Sequence, residues 1–124
     1  MSTLNCNIEK HANDLLIMSF NIQSINSKFD EVSTLIQTLT KKNISPDIIC
    51  LQELWQFPPN ANFAIPGYHK LVYKLRSENV KGGGVGLFIK NNLGYSINKA
   101  NSIFVNHYTN HCLLKLLILE VKKF

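Results

Sequence analysis

The run Asp47-Ile48-Ile49-Cys50-Leu51-Gln52-Glu53 constrains this chain more than any other feature. Its apolar centre has the length and residue types of a buried strand. Glu53 closes it, and a charge is too costly to leave unpaired in a core, so the carboxylate belongs at the rim of a sheet. An earlier run, Leu15-Leu16-Ile17-Met18-Ser19-Phe20-Asn21, ends on an amide in the same way. Between the two, Phe29, Val32, Leu35, Ile36 and Leu39 recur at helical spacing, predicting a helix to about Lys42. Parallel strands joined by a crossover helix deliver their C-terminal ends to one edge of the sheet, where ligands of open α/β sheets bind. Asn21 and Glu53 are therefore expected to share an edge. A carboxylate and an amide oxygen are hard donors that suit Mg²⁺ beside a phosphate. On spacing alone, a solvated strand-end carboxylate and a turn residue are the stronger reading.

The order of several short segments adds to this. They are Ser19-Phe20-Asn21-Ile22-Gln23-Ser24, Lys28-Phe29-Asp30, Asp47 through Trp55, Pro66-Gly67-Tyr68, Arg76, and Lys81-Gly82-Gly83-Gly84-Val85-Gly86-Leu87-Phe88-Ile89-Lys90. Together they resemble the endonuclease/exonuclease/phosphatase superfamily, and most of all the endonuclease domain of non-LTR (LINE-type) retrotransposons. The resemblance implies an α/β fold, here an incomplete half of the superfamily's four-layer α/β sandwich. It implies Mg²⁺ as cofactor, with Mn²⁺ as the alternative. It makes Glu53 and Asn21 the catalytic and metal-binding pair, and Arg76 and Lys81 phosphate contacts on a DNA-facing rim. Gln23 is an uncharged amide where apurinic-site nucleases carry Asp, which argues against repair activity. The family's second half carries an Asp-x-Asn strand end and a late Asp-His pair. This sequence has no Asp after Asp47, so only the metal side of the site is expected here. The domain reading is a polar leader over 1–13, expected to be frayed, followed by an N-terminal part of the domain over 14–124.

Charge bears on the partner. Residues 1–62 hold four Lys/Arg and six Asp/Glu, whereas residues 63–124 hold nine and two. A basic half suits a polyanion such as DNA, because neutralised phosphates supply most non-specific affinity. A solvated basic surface accounts for the charge equally well. Cys6, Cys50 and Cys112 are an odd, widely spaced set, which points to a reducing compartment rather than a disulfide framework. Cys50, within the apolar run, is expected to be a buried thiol. The first fourteen residues lack an apolar signal core. The run Leu113 to Val121 is interrupted by Lys115 and falls short of a membrane span. An intracellular location follows as the expectation, nuclear if genomic DNA is the substrate, with no membrane partner.

Other local features carry less. Ser27 with Asp30 resembles a capping box. Strands are expected at Tyr68 to Tyr73, Val85 to Lys90, Tyr95 to Asn98 and Cys112 to Val121. Gly82-Gly83-Gly84 fits neither a Walker loop, which needs a following Lys-Ser/Thr and helix, nor a dinucleotide fingerprint, because position 87 is Leu87. A close backbone approach at a hairpin or bulge is the better reading. His107 and His111 stand four apart but lack a further ligand, so surface histidines are favoured over a zinc pair. His69 is not the family's general base. Trp55 and Phe57 could stack on a nucleotide, but capping a core edge is favoured. Gln52 is expected to face away from Glu53.

Three functions remain open on sequence grounds. One is a piece of a Mg²⁺-dependent endonuclease, inactive alone, completed by a missing C-terminal half or followed by a polymerase domain. Another is a non-catalytic nucleic-acid-binding module. The last is part of an inositol or lipid phosphodiesterase of the same superfamily. A half-domain is also expected to bare an apolar sheet face and a strand edge through which copies could associate.

Overall fold

The structure is a computed structural model that describes residues 5–11, 15–75, 82–97, 102–107 and 112–117. Apolar residues alternate across two strands separated by one helical segment, and the chain resolves this as a crossover unit. Strand β2 (Leu15–Asn21) leads through helix α1 (Ile25–Lys41) to β3 (Ile48–Gln52). The two strands pair in parallel, with Ile17 opposite Ile48 and Asn21 opposite Gln52. On their flanks lie β1 (Asn5–His11), β4 (Val72–Lys74) and β5 (Val85–Ile89), all antiparallel to their neighbours. The five-stranded sheet has the order β1-β2-β3-β5-β4. A second sheet, β6-β7-β8, is built from β6 (Gly94–Ile97), β7 (Ser102–His107) and β8 (Cys112–Leu117).

Strand alternation sorts side chains between two cores. On the helix side, Met18, Phe20, Ile22, Ile49, Leu51 and Phe88 meet Ile25, Val32 and Ile36 of α1. Phe20 and Phe88 have no exposed surface, and each such side chain contributes roughly 2–3 kcal/mol of apolar burial. On the other side, Ile17, Ile48, Val85, Leu87 and Ile89 are buried with Leu93, and Tyr95 of β6 packs against them. The bare apolar face expected of a half-domain is therefore covered among the described residues. The large hydrophobics exposed there are Ile44 and Tyr73.

Several local expectations are corrected. The polar leader contains β1, whose seven residues pair with β2 from Asn5–Asn21 to His11–Leu15. A ladder needs backbone groups rather than apolar side chains, so hydropathy gave no sign of it. Helix α1 starts before Ser27: its N-cap is Ser24, whose Oγ accepts from the Ser27 amide at 3.2 Å. At the other end Ile44 N donates to Leu39 O and Asn43 N to Thr40 O, with Asn43 at φ 64. This is the Schellman arrangement, with Asn in the left-handed position. Tyr68 makes only an isolated bridge to Lys90, and the strand proper begins at Val72. Ser102–His107, not foreseen as a strand, pairs with both β6 and β8. His107 thus ends a strand opposite Cys112, not on a helix, and His111 lies outside the described residues. Cys50 is half-buried rather than buried. No helix among the described residues is long and apolar enough to cross a membrane.

Candidate functional site

Parallel pairing places the C-terminal ends of β2 and β3 side by side, as the crossover reading requires. Asn21 is the last residue of β2 and is exposed; Glu53 follows the last residue of β3 and is half-buried. Strand β5 runs antiparallel to β3, with Gln52 opposite Val85, so Gly82-Gly83-Gly84 arrives at the same edge. Backbone bonds tie these segments together. Ile22 N donates to Gln52 O, Ser24 N to Glu53 O and Ile25 N to Leu54 O, at 2.9, 3.0 and 3.0 Å. From the other side Leu54 N donates to Gly84 O and Trp55 N to Gly83 O, at 3.3 and 2.9 Å.

The backbone here departs from strand geometry. Gln23, Ser24, Glu53 and Trp55 all have positive φ, between 47 and 89°. An L-residue in the left-handed region costs about 1–2 kcal/mol, so neighbouring contacts must hold each one. Strict alternation after Ile49 and Leu51 would put Glu53 in the helix-side core. The turn at Glu53, φ 57°, hands that place to Leu54, which is fully buried, and leaves the carboxylate at the rim. Gly84 is at φ 89°, where a Cβ would stand 3.2 Å from Leu75 Cδ2 and 3.3 Å from Leu54 Cβ. The close backbone approach expected of the glycines is thus present, and it serves to seat Leu54 beneath Glu53.

The carboxylate itself is held by neutral donors. Its Oε1 accepts from the Trp55 indole Nε1–H at 3.2 Å and from the Gly83 amide at 3.4 Å. Trp55 is half-buried and is not among the side chains packed against either core; its indole nitrogen is committed to Glu53. Sequence reasoning missed this role, because i, i+2 spacing says nothing about a bond that depends on two positive φ angles. Phe57 does cap the core, edge-on to Phe63 and Tyr73 at 5.2 and 5.1 Å. Gln52 faces Cys50, its Nε2 lying 3.9 Å from Sγ. His69 is bound to Leu93 O at 2.8 Å and sits against Tyr95, beyond the far end of β5. Arg76 and Lys81, the expected phosphate contacts, lie outside the described residues.

Glu53 and Asn21 are a small donor set. No group of three or more His, Cys, Asp or Glu placed to hold a metal occurs among the described residues. One carboxylate and one amide oxygen at neighbouring strand ends still match Mg²⁺, which keeps several waters and takes one or two carboxylates together with substrate phosphates. The residues present fit such an ion.

A parallel β-α-β unit with a carboxylate and an amide at its C-terminal edge defines the class: an α/β protein. Residues 18–119 match the Endonuclease/Exonuclease/phosphatase family, and the chain belongs to it. That makes it a phosphodiesterase-type member of a family that generally depends on a divalent metal. The match spans Asn21 and Glu53 and leaves β1 outside. No curated protein matches the chain significantly.

Proposed function

We propose that this chain provides the metal- and phosphate-binding side of a Mg²⁺-dependent phosphodiesterase acting on DNA, of the kind found in retrotransposon endonucleases. The observation that carries the reading is the placement of Asn21 and Glu53 at neighbouring strand ends, with Glu53 turned out of the strand and held by Trp55 and Gly83. Glu53 supplies a charged oxygen for the cation. Asn21, exposed beside it, supplies a neutral oxygen or an N–H to orient the phosphate. A bound Mg²⁺ stabilises charge developing on the phosphate and the leaving oxygen. DNA is favoured over an inositol or lipid phosphodiester by the order of segments between Asn21 and Lys90 and by the basic second half.

Water activation needs a base that the described edge does not offer, and the sequence has no Asp after Asp47 to orient one. The 124 residues alone are therefore proposed to bind DNA without cutting it. Purified chain is expected to leave supercoiled plasmid intact in Mg²⁺, and to bind duplex DNA with an affinity that falls steeply between about 50 and 200 mM salt. Nicking that disappears in Glu53→Ala would overturn the inactive reading and leave the site assignment standing. Binding indifferent to salt would remove DNA as the partner.

A further inference from the structure

Among the described residues, two donors reach the Glu53 carboxylate, and both reach the same oxygen. Trp55 Nε1–H and the Gly83 amide converge on Oε1, at 3.2 and 3.4 Å, and neither is charged. The donors are themselves tied, because Trp55 N donates to Gly83 O at 2.9 Å. Glu53, Trp55 and Gly83 thus form one closed ring of hydrogen bonds. Gly82 lies against it: a Cβ there would be 3.7 Å from Trp55 Nε1 and 3.9 Å from Glu53 Oε1. The space is ordinary, so it is the φ of 87° that favours glycine at this position.

We infer that Trp55 is a positioning residue for a divalent cation: it fixes the Glu53 carboxylate through Oε1 and so presents Oε2 to the metal. The inference rests on the reading of Glu53 as a cation ligand. An indole N–H suits the task chemically. It donates only, so it cannot ligate a cation, and it carries no charge that would compete with one. Hydrogen bonds of this kind fix the orientation of metal-ligating side chains, and their loss typically lowers affinity by 10- to 100-fold.

Trp55 is the sole tryptophan of the chain, so indole emission reports from this ring alone. The chain is titrated with Mn²⁺ while free Mn²⁺ is followed by electron paramagnetic resonance and emission is read in parallel. The expected result is an emission change with the midpoint of metal binding, reversed by excess Mg²⁺. Trp55→Phe keeps a ring but loses the donor; its Mn²⁺ dissociation constant is expected to rise about tenfold at an unchanged far-ultraviolet circular dichroism spectrum. Wild-type Mn²⁺ affinity in folded Trp55→Phe overturns the inference. So does saturation of the unmodified chain without any change in emission, a result that needs no variant to fold. Glu53→Gln separates the two levels: undiminished Mn²⁺ binding there removes Glu53 as the ligand, whatever Trp55 does.

Discussion

Strand β3 carries a carboxylate at each end, and the two ends of the sheet use them differently. At the N-terminal end, Asp47 accepts the Leu16 amide on Oδ2 at 2.8 Å, and its Oδ1 lies 3.7 Å from Lys90 Nζ. Lys90 also donates to Ser45 O, and the Tyr68 hydroxyl donates to Pro46 O. Side chains there reinforce backbone bonds that run from Asp47 N to Leu16 O and from Lys90 N to Asp47 O. At the C-terminal end, the joins between β2, β3, α1 and the glycine segment run from backbone to backbone. Those joins do not call on the Asn21 side chain, and among the described residues the Glu53 carboxylate is reached by the Trp55 indole and the Gly83 amide. Two carboxylates six residues apart thus differ less in burial than in their partners, a lysine and a strand amide for one and two neutral donors for the other.

The sharpest test of this contrast pairs Asp47→Ala with Glu53→Gln. Glu53→Gln is expected to reduce Mn²⁺ affinity at least about tenfold while shifting stability by no more than about 0.5 kcal/mol. Asp47→Ala should do the reverse. It leaves the Leu16 amide without its acceptor and should cost about 1–3 kcal/mol in urea unfolding, with metal affinity kept. Exchange of those two outcomes would break the comparison. Gly84→Ala probes the C-terminal edge from within. At φ 89°, with the close contacts to Leu75 and Leu54, it should lower stability by about 1–2 kcal/mol and weaken the metal response, because Leu54 carries Glu53 with it. A neutral Gly84→Ala would show that the edge does not depend on that conformation.

Tyr68 gives the smallest expected effect. Burial pushes its hydroxyl above the ordinary value of 10.0; a hydrogen bond with Ser45 lowers it in part, and the Asp47 charge adds to the rise. The folded state then favours the neutral phenol more than the unfolded state does. Its contribution is complete below pH 10 and is lost as pH climbs through the raised folded value. Tyr68→Phe should lose about 1 kcal/mol near neutrality and show a shallower loss of stability above pH 10 than the unmodified chain. Parallel curves for the two would remove Tyr68 from the closure of that edge.

The crossover unit was readable from the sequence because β2, α1 and β3 each declare themselves by hydropathy: two apolar runs and a helical stripe through Val32 and Ile36. The placement of Asn21 and Glu53 at one sheet edge was readable because both stand at the end of such runs; their role there is a proposal. What escaped depends on partners distant in sequence. β1 is polar and exists through its ladder to β2. Ser24 replaces Ser27 as the N-cap because the Ser24 amide is already committed to Glu53 O, which fixes where the helix begins. The role of Trp55 needed the positive φ at Glu53 and the arrival of Gly83, neither of which spacing encodes. Arg76 and Lys81 were proposed from resemblance, and their part in phosphate binding rests there.

The bond between Gly83 and Glu53 joins residues thirty positions apart. That separation sets an order of assembly. As the chain leaves the ribosome, β2, α1 and β3 are available to pair when the residues around 53 have emerged, and the edge then holds Asn21 near a Glu53 that lacks the Gly83 half of its clamp. That half comes only when β5 docks antiparallel on β3 and brings the three glycines with it. Closing that longer loop follows the local contacts, since its entropy is lost before its bonds form. Of the two bonds that hold Glu53, the one from Gly83 closes the long loop, and a chain ending before residue 83 keeps only the indole donor of Trp55.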